Sequence, residues 1–140
     1  MTQPLLHGTC IAIKDQGVLI LGASGAGKSD LALRLIDRGA ALVGDDYLEA
    51  RIDDGQLFLS APTALQGRLE VRQIGLLRLP WQARAPIALI VRLGERPERL
   101  PEPMTETCLG IAVPVLQISP FEASAPIKVE LALQHGVGIA

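Results

Sequence analysis

Eight consecutive residues, Gly22-Ala-Ser-Gly-Ala-Gly27-Lys28-Ser29, constrain this chain more than any other stretch of it. They satisfy the pattern G-x-x-x-x-G-K-[ST] without a mismatch, and the spacing has a mechanical reason. Glycines let the backbone wrap close around a phosphate chain, and successive N–H groups then point inward as an anion nest. Lys28 reaches the outer phosphates, and the Ser29 hydroxyl is a ligand for a magnesium ion. The context agrees. Gly17-Val-Leu-Ile-Leu21, just before, is a short apolar run that suits a strand buried on both faces. A helix is predicted from about Lys28 to Arg38, with Leu31, Leu35 and Ile36 on one face and Gly39 at a left-handed C-cap. Ala41-Leu-Val-Gly44 then reads as a second buried strand that delivers Asp45 and Asp46 at its end. This strand-loop-helix-strand unit makes the first third of the chain α/β.

The rest reads as strands. Only 3% of the 140 residues are aromatic while 49% are hydrophobic, so the core must be built from Leu, Ile, Val and Ala. Asp53-Asp54-Gly55 sits between Leu48–Ile52 and Gln56–Ser60, which is a hairpin signal. Further strands are expected at Arg68–Arg72, Ile87–Val91, Val113–Ile118 and Ile127–Leu133. The last of these alternates, with Ile127, Val129, Leu131 and Leu133 against Lys128 and Glu130. Gly94–Pro103 is polar and proline-rich, hence a surface loop rather than a linker between domains. We expect a single domain over residues 1–140.

Composition narrows the partners. A net charge of -2 argues against a protein dominated by a nucleic-acid backbone footprint. Cys10 and Cys108 have no CxxC or His-rich neighbourhood and read as small buried residues in a reducing compartment. The start, MTQPLLHGTC, lacks the basic and apolar regions of a signal peptide, and no apolar run approaches a membrane span. The expectation is a soluble cytoplasmic domain that engages neither nucleic acid nor membrane.

Outside the loop, three groups of residues bear chemistry. Asp45 and Asp46 are adjacent on a strand end and so point to different sides, one free to face a metal and the other an acceptor hydroxyl. An acidic turn is the alternative. Glu70 and Arg72 are two apart and project from one strand face, suited to a metal and a phosphoryl group or simply to an exposed ion pair. His7 precedes Gly8 near the N-terminus, where a lone histidine by itself says little.

Together these residues resemble the HPr kinase/phosphorylase family, specifically its C-terminal catalytic domain, over nearly the whole chain. The resemblance is carried by His7-Gly8, by the loop with its tail Ser29-Asp30, by Leu-Ile-Asp-Arg-Gly at 35–39 and by Leu-Val-Gly-Asp-Asp at 42–46. The family's Leu-Glu-Val-Arg-Gly-Ile-Gly signature appears as Leu69-Glu-Val-Arg-Gln-Ile-Gly75, with Gln73 in place of Gly. It implies a P-loop fold similar to phosphoenolpyruvate carboxykinase, and an ATP- and Mg²⁺-dependent kinase of the phosphocarrier protein HPr. Many such enzymes also reverse the reaction with inorganic phosphate. By position, the resemblance implies Gly22, Ala23, Ser24, Gly25, Ala26, Gly27, Lys28 and Ser29 for ATP. It implies Asp45 as the base that takes the serine proton, and Ser29 and Glu70 as magnesium ligands with Asp46 in support. His7, Lys28 and Arg99 are the remaining catalytic residues it implies, Arg99 through the setting Glu98-Arg99-Leu-Pro101, and Arg72 is added to them from its place on the strand face beside Glu70. Homo-oligomerisation is compatible with the resemblance.

There are departures. Larger members carry an N-terminal domain, and no counterpart to it is expected here. The family also has an arginine-rich Arg-Pro-Gly-Arg-Asn stretch before its last strand, where this chain has Ser119-Pro-Phe-Glu-Ala-Ser124. That substitution implies weak or absent phosphorylase activity. The other readings are a P-loop kinase of a small metabolite and a non-catalytic nucleotide-binding module.

Overall fold

The computed structural model describes residues 5–94 and 97–138. Its elements, in chain order, are β1 (Leu5–Ile13), β2 (Gln16–Leu21), α1 (Lys28–Asp37), β3 (Ala41–Asp53), β4 (Gln56–Ser60) and β5 (Arg68–Val71). They continue with β6 (Gly75–Arg78), β7 (Arg84–Leu93), β8 (Thr105–Cys108), β9 (Ile111–Ile118) and α2 (Ala125–His135).

Seven strands form one sheet in the order β2-β1-β3-β4-β7-β9-β8, and β2 also pairs with β7. The sheet therefore closes on itself through β1, β2, β3, β4 and β7. One edge of β7 pairs with β2. The other edge is shared, β4 taking Arg84–Pro86 and β9 taking Ile90–Leu93. Strands β5 and β6 form a separate hairpin.

Period-two alternation on these strands builds two cores. Cys10, Leu19, Leu48, Leu57, Leu59, Ile90 and Val115 belong to one that includes no helical residue, the inside of the curled sheet. Ile11, Val18, Ile20, Leu89 and Val91 face the other way, onto Leu31 and Leu35 of α1 and Val129 of α2. The run 17–21 is thus buried on both faces, as its unbroken apolar character predicts. Among the described residues no helix is long and apolar enough to cross a membrane.

Several expectations hold locally. Helix α1 ends with Gly39 in the left-handed region (φ 109°), and the amides of Gly39 and Ala40 donate to the carbonyls of Ile36 and Leu35 in a Schellman closure. Asp54 and Gly55, both at positive φ, make the two-residue turn of the β3–β4 hairpin. Residues 94 and 97–103 lie outside regular structure, as expected for the proline-rich loop, and residues 95–96 of that stretch lie outside the described residues.

Others need correction. Residues 127–133 are not a strand but the middle of α2. Pro126 stands in its first turn, Gly136 ends it, and Ala125, Val129 and Ala132 are the buried stripe, a helical spacing. Ile127 and Leu131, half of the supposed strand face, are exposed. The strand expected to stop at Gly44 runs on through the two aspartates to Asp53. Strand β5 ends at Val71, which leaves Arg72 in the turn that follows. Cys108 is only half-buried, unlike Cys10, whose thiol is pushed up by full burial.

Candidate active site

The site is assembled by β1, β3 and the loop between β2 and α1. Within that loop the amide of Ala26 donates to the carbonyl of Ala23 (2.9 Å), and Gly25 and Gly27 hold φ of 80° and 104°. Those two positive angles turn the backbone into the concave form that an L side chain disfavours and a phosphate chain requires. The Lys28 ammonium folds back over the loop, donating to the carbonyls of Gly22 (2.9 Å) and Ala23 (3.1 Å). A cation is thereby held at the rim of the nest, at the N-terminus of a ten-residue helix.

Strand pairing brings the carboxylates there. Strand β1 runs antiparallel to β3 with Thr9 opposite Asp45, Gly8 opposite Asp46 and His7 opposite Tyr47. The Thr9 hydroxyl, fully buried, donates to Asp45 Oδ1 at 2.8 Å. From α1 the Ser29 hydroxyl donates to the same carboxylate at 3.2 and 3.4 Å. Two hydroxyls from two elements therefore fix how Asp45 is turned.

Asp46 goes elsewhere. Its φ of 75° is unusual for a residue within a strand, although aspartate tolerates it better than most. Its carboxylate meets His7 Nε2 at 2.8 Å, with the side chains 64% and 56% exposed. Tyr47 sets its ring edge-on to the imidazole, 5.8 Å between centroids. The adjacent aspartates do point to different sides, one toward the loop and one toward solvent.

The donor set suits a hard divalent cation. Ser29 and Asp45 juxtapose a hydroxyl and a carboxylate at the mouth of the nest, an all-oxygen pair of the kind magnesium accepts when phosphates and water complete its shell. Among the described residues no group of three or more His, Cys, Asp or Glu side chains could hold a metal unaided.

The remaining expected residues are not drawn in. Glu70 is exposed on β5, Arg72 on the β5–β6 turn and Arg99 on the loop after β7. None makes a hydrogen bond or ion pair with Lys28, Ser29, Asp45 or Asp46. Thr9 is the site residue that sequence reasoning missed. A threonine in an apolar run carries no signal until β1 is registered against β3.

The segment between β9 and α2 also abuts the loop. Arg34 of α1 donates to the carbonyl of Pro120 and to that of Glu122 (3.2 Å), and Asp30 braces it at 3.1 Å. Glu122 itself pairs with Lys128 at 2.7 Å.

Comparison with known proteins agrees with this geometry. Residues 1–119 match the model of the HPr serine kinase C-terminal domain. The chain is 42% identical over 128 residues to an HPr kinase/phosphorylase of Acidovorax sp. (strain JS42), covering 81% of this chain and 40% of that protein. It is 47% identical over 72 residues to an HPr kinase/phosphorylase of Clostridium botulinum (strain Eklund 17B / Type B), covering 51% of this chain and 24% of the other. The chain thus spans well under half the length of these relatives. It superposes on the Hpr(Ser) kinase/phosphatase from Coxiella burnetii with a TM-score of 0.81 at 29% identity, covering 94% of this chain and 89% of that one.

Proposed function

The chain belongs to the HPr serine kinase C-terminal domain family, and from that membership we propose that it is an ATP- and magnesium-dependent kinase acting on a serine of an HPr-like phosphocarrier protein in the cytoplasm. The observation that carries the reading is the convergence of Lys28, Ser29 and Asp45 at one phosphate-binding loop. Phosphoryl transfer asks little covalent chemistry of a protein. It asks for charge to neutralise the phosphates and for a base aligned with the acceptor hydroxyl.

In this proposal the backbone of residues 22–27 holds the phosphate chain and Lys28 leaves its carbonyl partners to neutralise it. Ser29, beside the Asp45 carboxylate, would hold magnesium, which offsets charge on the phosphates when bound, and Glu70 and Asp46, which do not reach Ser29 in this structure, would join it only in the loaded complex. Asp45, already oriented by the Thr9 hydroxyl, takes the proton of the acceptor serine. His7, Arg72 and Arg99 complete the phosphate surroundings once the partner is docked. Asp46 and His7 stand at the surface, which suits an acceptor carried on a protein better than a small metabolite in an enclosed pocket.

The reverse reaction is the weaker direction in this reading. Joining inorganic phosphate to a phosphoserine brings two anions together and needs added guanidinium charge. Residues 119–124 contain none, and the nearby Arg34 turns its two terminal nitrogens to the carbonyls of Pro120 and Glu122.

The test is incubation with ATP, Mg²⁺ and HPr-like proteins, followed by mass spectrometry of the serine. We expect phosphoserine with the parent chain and none with Lys28→Ala, which should weaken ATP binding yet stay folded by circular dichroism. Equal turnover in that variant would sink the assignment. Phosphorylated partner given millimolar phosphate without ATP should release little pyrophosphate. Release as fast as the forward reaction would show that residues 119–124 do not decide direction.

A further inference from the structure

Of the four aromatic residues, three are accounted for. Tyr47 sits against His7, Trp81 covers Gly67, and Phe58 carries the Arg84 guanidinium over its ring. Phe121 is 72% exposed, yet it is not loosely placed. Its Cε1 and Cζ lie 3.2 and 3.3 Å from where a Cβ on Gly27 would stand, so the ring rests on the last residue of the phosphate loop. The backbone on either side is clamped, since Arg34 holds the carbonyls of Pro120 and Glu122 and the Glu122 side chain is tied to Lys128.

A flat apolar ring fixed in water beside a polyphosphate nest has a chemical complement. A nucleotide whose phosphates occupy the nest must carry its base out of the loop, and a base has a π-face that gains by covering an aromatic ring. We propose that Phe121 is the platform on which that base stacks, making it the residue that distinguishes a nucleotide from bare polyphosphate. This rests on the reading of residues 22–29 as a nucleotide site. A phenyl ring has no hydrogen-bonding group, so it favours large bases without choosing between them. Adenine and guanine nucleotides should therefore bind comparably. Arg34 is the positioning residue that keeps the ring at the loop.

Calorimetric titration of the full chain with Mg²⁺ plus ATP, and separately with Mg²⁺ plus tripolyphosphate, tests this. Phe121→Ala should bind ATP roughly tenfold more weakly, within the range of base–aromatic stacking. It should bind tripolyphosphate as the parent does, and Phe121→Trp should restore ATP affinity. Lys28→Ala should weaken both ligands alike, which separates the phosphate site from the base site. Unchanged ATP affinity in Phe121→Ala overturns the proposal, and so does an equal loss for both ligands, which would mean the ring only props the loop. Failure of the parent chain to bind either ligand overturns the nucleotide site itself and the platform with it.

Discussion

Asp45 and Asp46 are neighbours in sequence with opposite surroundings, as alternation along β3 directs, and Asp46 adds a positive φ. Asp45 receives two hydroxyl donors and faces the loop, whereas Asp46 faces solvent and one histidine. General-base contributions are typically about 10²–10⁴-fold, so Asp45→Asn should lose about that much kcat while still binding ATP, and Asp46→Asn should lose less. The reverse ranking in steady-state kinetics would exchange their roles. At this scale the site was half legible. The loop, Lys28, Ser29 and the aspartate pair stand within 25 positions of one another, so the strand-loop-helix-strand pattern made them readable together, although strand pairing is what joins them. Thr9 was invisible because its role exists only across a strand pair. Glu70 and Arg72 rest on a shared strand face, and Glu70 and Arg99 on family position, neither of which specifies burial or partners.

Elements were legible where the local signal was undisturbed and misread where side chains obscured it. Strand β2 and helix α1 stand out because glycines bracket them. Strand β1 was overlooked because His7, Gly8, Thr9 and Cys10 break its apolar run, and β3 was cut short because two aspartates interrupt it. Alternation at 127–133 imitates a strand within a helix, and Pro126 and Gly136 were the signals that outweigh it. Strand β8, at the sheet edge, was also missed. It is tied in by Glu106, which forms a two-fold ion pair with Arg92 of β7. The Arg92 guanidinium holds Glu106 below the usual carboxylate range, and Glu106 in turn raises Arg92. A lowered carboxylate stabilises above its unfolded pKa, and that gain disappears as pH falls through its folded value. Glu106→Gln should therefore cost under about 1 kcal/mol near neutrality, the pair being partly exposed. Urea midpoints of parent and variant should converge in acid, and a gap that persists there would exclude the ion pair as its source.

The architecture as a whole depends on the seam where residues 17–21 of β2 meet residues 87–92 of β7 in parallel. Gly17 is the close point. A Cβ there would lie 2.8 Å from the Pro86 carbonyl oxygen and 3.2 Å from Ala85 Cβ. Gly17→Ala should cost about 1–3 kcal/mol, as overpacking does, measurable as a lowered midpoint of chemical unfolding. An unchanged midpoint would mean that the seam yields. The strand at this seam is also the one that ends in the phosphate loop, and this has a consequence in time. Contacts between distant parts of a chain form slowly, because their loop entropy is lost before any pairing repays it. On a ribosome, β2 emerges long before β7 exists to receive it. Nucleotide capture should then begin late and abruptly, so a fluorescent ATP analogue followed during refolding would report completion of the ring rather than formation of the helix beside it.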